Sequence, residues 1–213
     1  IAAIATPKGV GAIAVIRVSG QEAHGIARKL FAEGGEKVPE RTPVLRNLSW
    51  KGEKLDRALV TFYKAPHSFT GEDSVEISCH GSPYLAERIL HALYEAGARP
   101  AEPGEFSFRA CMHGKMDFTQ AEALNDLIRA RTAFEAQAAR AQAEGRLSEE
   151  INAIRHLLIR TFGRLSAAVD FAEEGENFGS AEAEIEELEK RLARLEKTYA
   201  RGRRLREGAR VAI

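Results

Sequence analysis

From Phe118 to the end of the 213-residue chain there is no proline, whereas the residues before it are punctuated at short intervals by glycine and proline. A proline inside a helix removes a backbone donor and collides with the preceding turn, so this contrast permits long helices in the second part and only short elements in the first. The chain is therefore expected to form an α+β domain over 1–117 followed by an all-helical domain over 118–213.

In the first part IAAIA and AIAVIRV read as strands, and the spacing of Ser19 and Glu22 is that of a capping box opening a helix through about Phe31. LRNLSW and ALVTFYK are strands around the turn-like KGEK, and DSVEISCH is a further strand. PYLAERILHALYEAGA is an amphipathic helix with Pro83 in its first turn and Gly97 near its end. The order β-β-α-β-β-β-α is not a strict alternation, which favours α+β over a doubly wound sheet. In the second part helices are expected over roughly 119–143, 148–173 from Ser148, and 181–206 from Ser180. The middle one would be about 40 Å long. Ile185, Leu188, Leu192, Leu195 and Tyr199 recur at three-four spacing, a seam for a neighbouring helix.

Thirty-one basic and 31 acidic residues cancel, so net charge carries no nucleic-acid signature. No window approaches 18 uninterrupted apolar residues, and IAAIATPKGVGAIAVIRVSG lacks the basic start and long apolar run of a signal peptide. No membrane association and a cytoplasmic location are expected. Two cysteines, Cys79 and Cys111, suit a reducing compartment.

GVGAIA at 9–14 fits a loose GxGxxA phosphate fingerprint, but β-branched strand residues follow it where a helix would be required, so a turn between strands is the better reading. Cys79-His80 and Cys111-x-His113 supply zinc-type ligands at spacings unlike those of zinc sites, and no metal is expected. RGRRLR at 201–206 closes a helix that opens with EAEIEELE, the polarity that the helix dipole favours, and this weighs against reading it as an RNA contact.

Arg17 alternates with Ile13 and Val15, so it projects from an otherwise apolar strand face and needs a partner. In DSVEISCH, Glu76 shares a face with Ser78 and His80, opposite Val75, Ile77 and Cys79. An Arg17–Glu76 ion pair and a ligand site are equally consistent with this pattern. Lys115, in EFSFRACMHGKMDF, either joins the same polar pocket or caps the preceding loop.

Taken together, ATPKGVGAIAVIRVSG at 5–20, APHSFTGEDSVEISCHGSP at 65–83 and PAEPGEFSFRACMHGKMDFTQAEALNDLI at 100–128 resemble the tRNA-modification GTPase family MnmE, also called TrmE. DFAEEGE at 170–176 and GRRLREGARVAI at 202–213 extend the resemblance over the whole chain. The resemblance implies an amino-terminal domain, similar to folate-dependent aminomethyltransferases, that binds 5-formyltetrahydrofolate or another tetrahydrofolate derivative and mediates homodimerisation. It implies next a helical domain into which a GTPase domain using GTP, potassium and magnesium is inserted. With the flavoprotein MnmG, such proteins place an aminomethyl or carboxymethylaminomethyl group on C5 of the wobble uridine at tRNA position 34. The family's folate-binding positions fall on Arg17, Glu76 and Lys115, a set whose carboxylate suits pterin N–H groups and whose cations suit acidic or carbonyl oxygens.

The match has departures. Ser82 stands where a second glycine is usual, CMHGK replaces the commoner FLNGK, and Ala172 replaces a frequent proline. No GxxxxGK[ST] occurs, and Val211-Ala212-Ile213 resembles the first strand of the GTPase domain, so no catalytic residue is expected within these residues. A stand-alone folate-dependent one-carbon transferase, and a dimerisation scaffold in which Arg17 and Glu76 merely pair, are the competing readings.

Overall fold

The computed structural model describes residues 1–32, 39–170 and 181–207, with residues 200–207 described by backbone alone. They form two compact units, Ile1–Met116 and Asp117–Ile213.

The first unit is built on a five-stranded sheet in the order β1-β2-β5-β4-β3, with every neighbouring pair antiparallel. Its strands are β1 (Ala2–Ile4), β2 (Ile13–Ser19), β3 (Val44–Trp50), β4 (Glu53–Tyr63) and β5 (Ser74–His80). The expected hairpin turns at Lys51-Gly52, both with positive φ, the pairing that two-residue hairpins require. Helices α1 (Ala23–Arg28) and α2 (Pro83–Glu95) cover one face of the sheet. Ile16, Val18, Val60, Phe62, Val75 and Ile77 from the strands meet Ala27, Leu30, Ile89 and Leu93 there, all fully buried. The alternation of side chains along each strand sends the intervening residues to the other face. That face carries Arg17 and Glu76 and leaves Ile13 64% exposed, so the apolar neighbours of Arg17 are not buried as the strand pattern implied.

Two further expectations change. Ser19 is the last residue of β2 and does not cap α1, whose N-cap Glu22 makes no side-chain capping bond. Glu105–Met112, read as loop, is a helix, α3, entered through Gly104 at φ 78°. Pro103-Gly104 stops the preceding chain, and Glu105 in the first turn accepts the backbone N–H of Glu102 at 2.9 Å.

Among the described residues the second unit holds four helices, α4 (Phe118–Arg129), α5 (Ala133–Ala143), α6 (Arg146–Asp170) and α7 (Glu182–Glu207). The single helix expected over 119–143 is broken because Ala130 turns to an extended ψ of 131° and Thr132 starts a new helix by accepting the N–H of Glu135 at 3.1 Å. Glu135 in turn accepts the N–H of Arg131 at 2.7 Å. α4 opens on a capping box between Asp117 and Gln120. Gln120 also donates to the Ala143 carbonyl and Gln142 to that of Thr119, tying the start of α4 to the end of α5. Gly145, at φ 89°, lets the chain turn into α6, so that helix begins two residues before Ser148, whose hydroxyl instead meets Thr119 at 2.9 Å. Along α7 only part of the expected seam is covered: Leu188 is buried, whereas Ile185, Leu192 and Tyr199 are exposed. Ser180 and Ala172 lie outside the described residues, as do the last residues of the resemblance at 208–213. Among the described residues no helix is long and apolar enough to cross a membrane.

Candidate functional site

The open sheet face of the first unit ends in a cleft of about 390 Å³, within the size range of small-molecule sites. Arg17, Glu76 and Lys115, drawn from β2, β5 and the turn after α3, all line it. Arg17 and Glu76 are directly opposite one another in the β2–β5 register. The guanidinium donates to Oε1 of Glu76 from Nε at 3.0 Å and from Nη2 at 2.7 Å. Their side chains are 26% and 28% exposed, so the pair is half-buried rather than sealed in the core. Tyr63 donates from its hydroxyl to the other carboxylate oxygen at 3.3 Å. Burial, reinforced by the Glu76 charge, pushes the Tyr63 phenol above its ordinary pKa, which keeps that donor protonated. Arg17 and Glu76 therefore form the ion pair that one reading of the sequence offered, and that pair lines a cavity.

Aromatic rings frame the guanidinium. Its carbon lies 4.9 Å from the centre of the Phe69 ring and 5.8 Å from that of Phe106, distances at which a cation is held over a ring. Phe69 belongs to the β4–β5 connection, which also brings His67 and Ser68 to the cleft. This connection is fixed from below. Thr70 is fully buried, with its hydroxyl 2.6 Å from that of Ser19 and 3.3 Å from that of Ser74. Ser19 also donates to Glu72 at 2.9 Å. Glu72 accepts from Arg109 of α3 at 2.9 and 3.0 Å, and Arg109 reaches Glu105, which is held by Arg99 at 2.5 Å. The Arg99 hydrogen bond, with help from the Glu102 N–H and Arg109, pulls the Glu105 carboxyl down to about 2.

A second strap comes from the turn after α3. The His113 ring Nδ1 lies 2.9 Å from the Thr70 carbonyl oxygen. Lys115, exposed, donates from Nζ to the Pro66 carbonyl at 3.0 Å. Gly71, at φ 79°, lies so close that an added Cβ would stand 2.8 Å from the His113 Cβ. Lys115 thus lines the pocket, and its ammonium braces the β4–β5 connection instead of capping the segment that precedes it, which is the helix α3.

The cysteine-histidine steps behave differently. Cys79 faces the core, donates to the Ala14 carbonyl at 3.5 Å, and is pushed by burial up to about 11, so it is neither a ready nucleophile nor a thiolate ligand. His80 points the other way and pairs with Asp56 at 2.7 Å. Among the described residues no three potential metal ligands gather.

Sequence reasoning missed Arg41, Tyr63 and Phe69. Tyr63 was accessible in principle, since it alternates with buried Phe62 on β4. Arg41 lies in an irregular segment with no periodicity to read; its backbone N–H is pinned to the Phe62 carbonyl at 2.7 Å. Its φ of 57° is left-handed, a conformation costing a residue with a Cβ about 1–2 kcal/mol.

The sequence family follows from comparison. A model of the GTP-binding protein TrmE N-terminus matches residues 1–115, and a model of the MnmE helical domain matches residues 118–210. The chain belongs to the TrmE/MnmE family. Proteins named tRNA modification GTPase MnmE from Akkermansia muciniphila, Aquifex aeolicus and Chloroflexus aurantiacus are 41%, 40% and 42% identical to it, each over 100% of the chain. Those MnmE proteins are longer: the chain covers 49%, 48% and 48% of them, about half their length.

Proposed function

We propose that this chain is the folate-binding and first helical portion of a tRNA-modification GTPase. Residues 1–117 form an aminomethyltransferase-like domain that binds 5-formyltetrahydrofolate or a related tetrahydrofolate and mediates homodimerisation. Residues 118–213 form the first part of a helical domain, adjoining a GTPase domain that uses GTP, potassium and magnesium. The whole protein, acting in the cytoplasm with the flavoprotein MnmG, modifies C5 of the wobble uridine of tRNA.

The observation that carries this reading is the convergence of Arg17, Glu76 and Lys115, distant in sequence, on one cleft. Its chemistry fits the ligand. A pterin presents adjacent N–H groups to a carboxylate and a flat ring to aromatic neighbours, here Glu76 and Phe69. Two oxygens of Glu76 already serve Arg17 and Tyr63, but a carboxylate has about four lone-pair sites, which leaves room for a further donor.

Isothermal titration of this chain with 5-formyltetrahydrofolate tests the proposal. Glu76→Gln and Lys115→Ala are each expected to weaken binding by about tenfold or more, the loss of one charge-assisted hydrogen bond. Unchanged affinity in both would overturn the assignment. GTP hydrolysis by these residues alone would contradict the domain reading, since they contain no GxxxxGK[ST].

A further inference from the structure

Arg41 lines the same cleft as Arg17, Glu76 and Lys115, and no motif discussed above includes it. Its backbone is left-handed at φ 57°, a position that suits glycine, and its N–H is tied to Phe62 beside Tyr63. Such conformations in residues other than glycine gather at ligand sites, where the side chain has a use that outweighs the strain.

The charge balance of the cleft says what that use is. Glu76 offsets Arg17 through their ion pair. Lys115 contacts a neutral carbonyl, and Arg41 makes no ion pair among the described residues. Arg17, Arg41 and Lys115 against Glu76 leave the cleft two positive charges in excess. Neither the pterin nor the aminobenzoyl part of a folate carries charge to meet them, whereas its glutamyl tail carries two carboxylates.

We propose that Arg41 binds this dicarboxylate tail together with Lys115, and so sets the direction in which the ligand lies, its pterin toward Glu76 and Phe69. This rests on the folate reading above. Arginine suits the role because its fork matches a carboxylate with two parallel N–H donors.

The test compares 5-formyltetrahydrofolate with 5-formyltetrahydropteroate, the same molecule without its glutamate, by calorimetry on the wild-type chain, Arg41→Gly and Arg41→Lys. Arg41→Gly should bind the full ligand about tenfold or more weakly while binding the tail-less ligand within about twofold of wild type. Arg41→Lys should recover part of the loss. Because glycine relieves the left-handed strain, Arg41→Gly should melt at or above the wild-type temperature, so a loss of binding cannot be put down to misfolding. An Arg41→Gly variant that binds the full ligand like wild type, or that loses both ligands equally, overturns the assignment of Arg41 and leaves the folate reading standing. A wild-type chain that binds neither ligand overturns the folate reading, and the tail assignment falls with it.

Discussion

Glu76 is asked to do two jobs, and the division between its oxygens predicts how they separate. Arg17 holds Oε1, while Tyr63 holds Oε2 through one neutral donor at 3.3 Å. Tyr63→Phe removes that donor without freeing a charge, so the fold should lose no more than about 1 kcal/mol, and chemical denaturation measures it. Arg17→Ala is a heavier change, since it leaves Glu76 without its cation and uncovers Phe69. Glu105 supplies a pH dependence. Its carboxyl is drawn from an ordinary 4.5 to about 2 by Arg99, with the Glu102 N–H and Arg109 assisting. A folded-state value below the unfolded one means the charged form is favoured by folding: the stabilisation is complete above about pH 4.5 and is lost as pH falls through about 2. Glu105→Gln should therefore melt below wild type at pH 7, and the gap should close as both are titrated toward pH 2.

At the scale of elements, the strands and α2 were legible because the side chains directed toward α1 and α2 are mostly apolar at alternate strand positions, even though the open face also keeps apolar residues such as Ile13, Leu45 and Leu59. α3 was not. Its charged residues, Glu105 and Arg109, face an internal ion network with Arg99 and Glu72 instead of solvent, so EFSFRACM shows no clean polar face to mark a helix. The break between α4 and α5 escaped for another reason: Thr132 and Glu135 stand at capping spacing inside a run of good helix formers, and only the resulting hydrogen bonds reveal the stop. Thr132→Ala should cost about 1 kcal/mol and, by circular dichroism, reduce cooperativity of the helical unit. The site was legible in part. Arg17 and Glu76 could be paired by strand parity and Lys115 added by motif, but Arg41 and Phe69 reach the cleft from irregular segments whose course depends on tertiary contacts. Gly71→Ala tests those contacts: a left-handed φ and a 2.8 Å approach to His113 should together cost about 1–3 kcal/mol and loosen the connection that carries Phe69.

Over the whole molecule the two units differ in how fully they bury their apolar side chains. The first encloses a continuous core, whereas α6 leaves Leu158, Ile159, Phe162 and Val169 exposed and α7 leaves Leu192 exposed. Phe162, 69% exposed, should tolerate Asp with a change of at most about 0.5 kcal/mol in thermal stability. Leu188→Ala, at a buried position, should cost about 2–3 kcal/mol. The straps between α3 and the β4–β5 connection have a reach beyond the cleft. Thr70 meets Ser19 and Ser74 on the sheet and His113 at the end of α3, while Arg109 meets Glu72, so the connection cannot open without releasing the helix. Ligand that quiets Phe69 should therefore slow deuterium uptake along α3, at amides such as those of Cys111 and Met112 that never touch it, making this helix a remote reporter of occupancy.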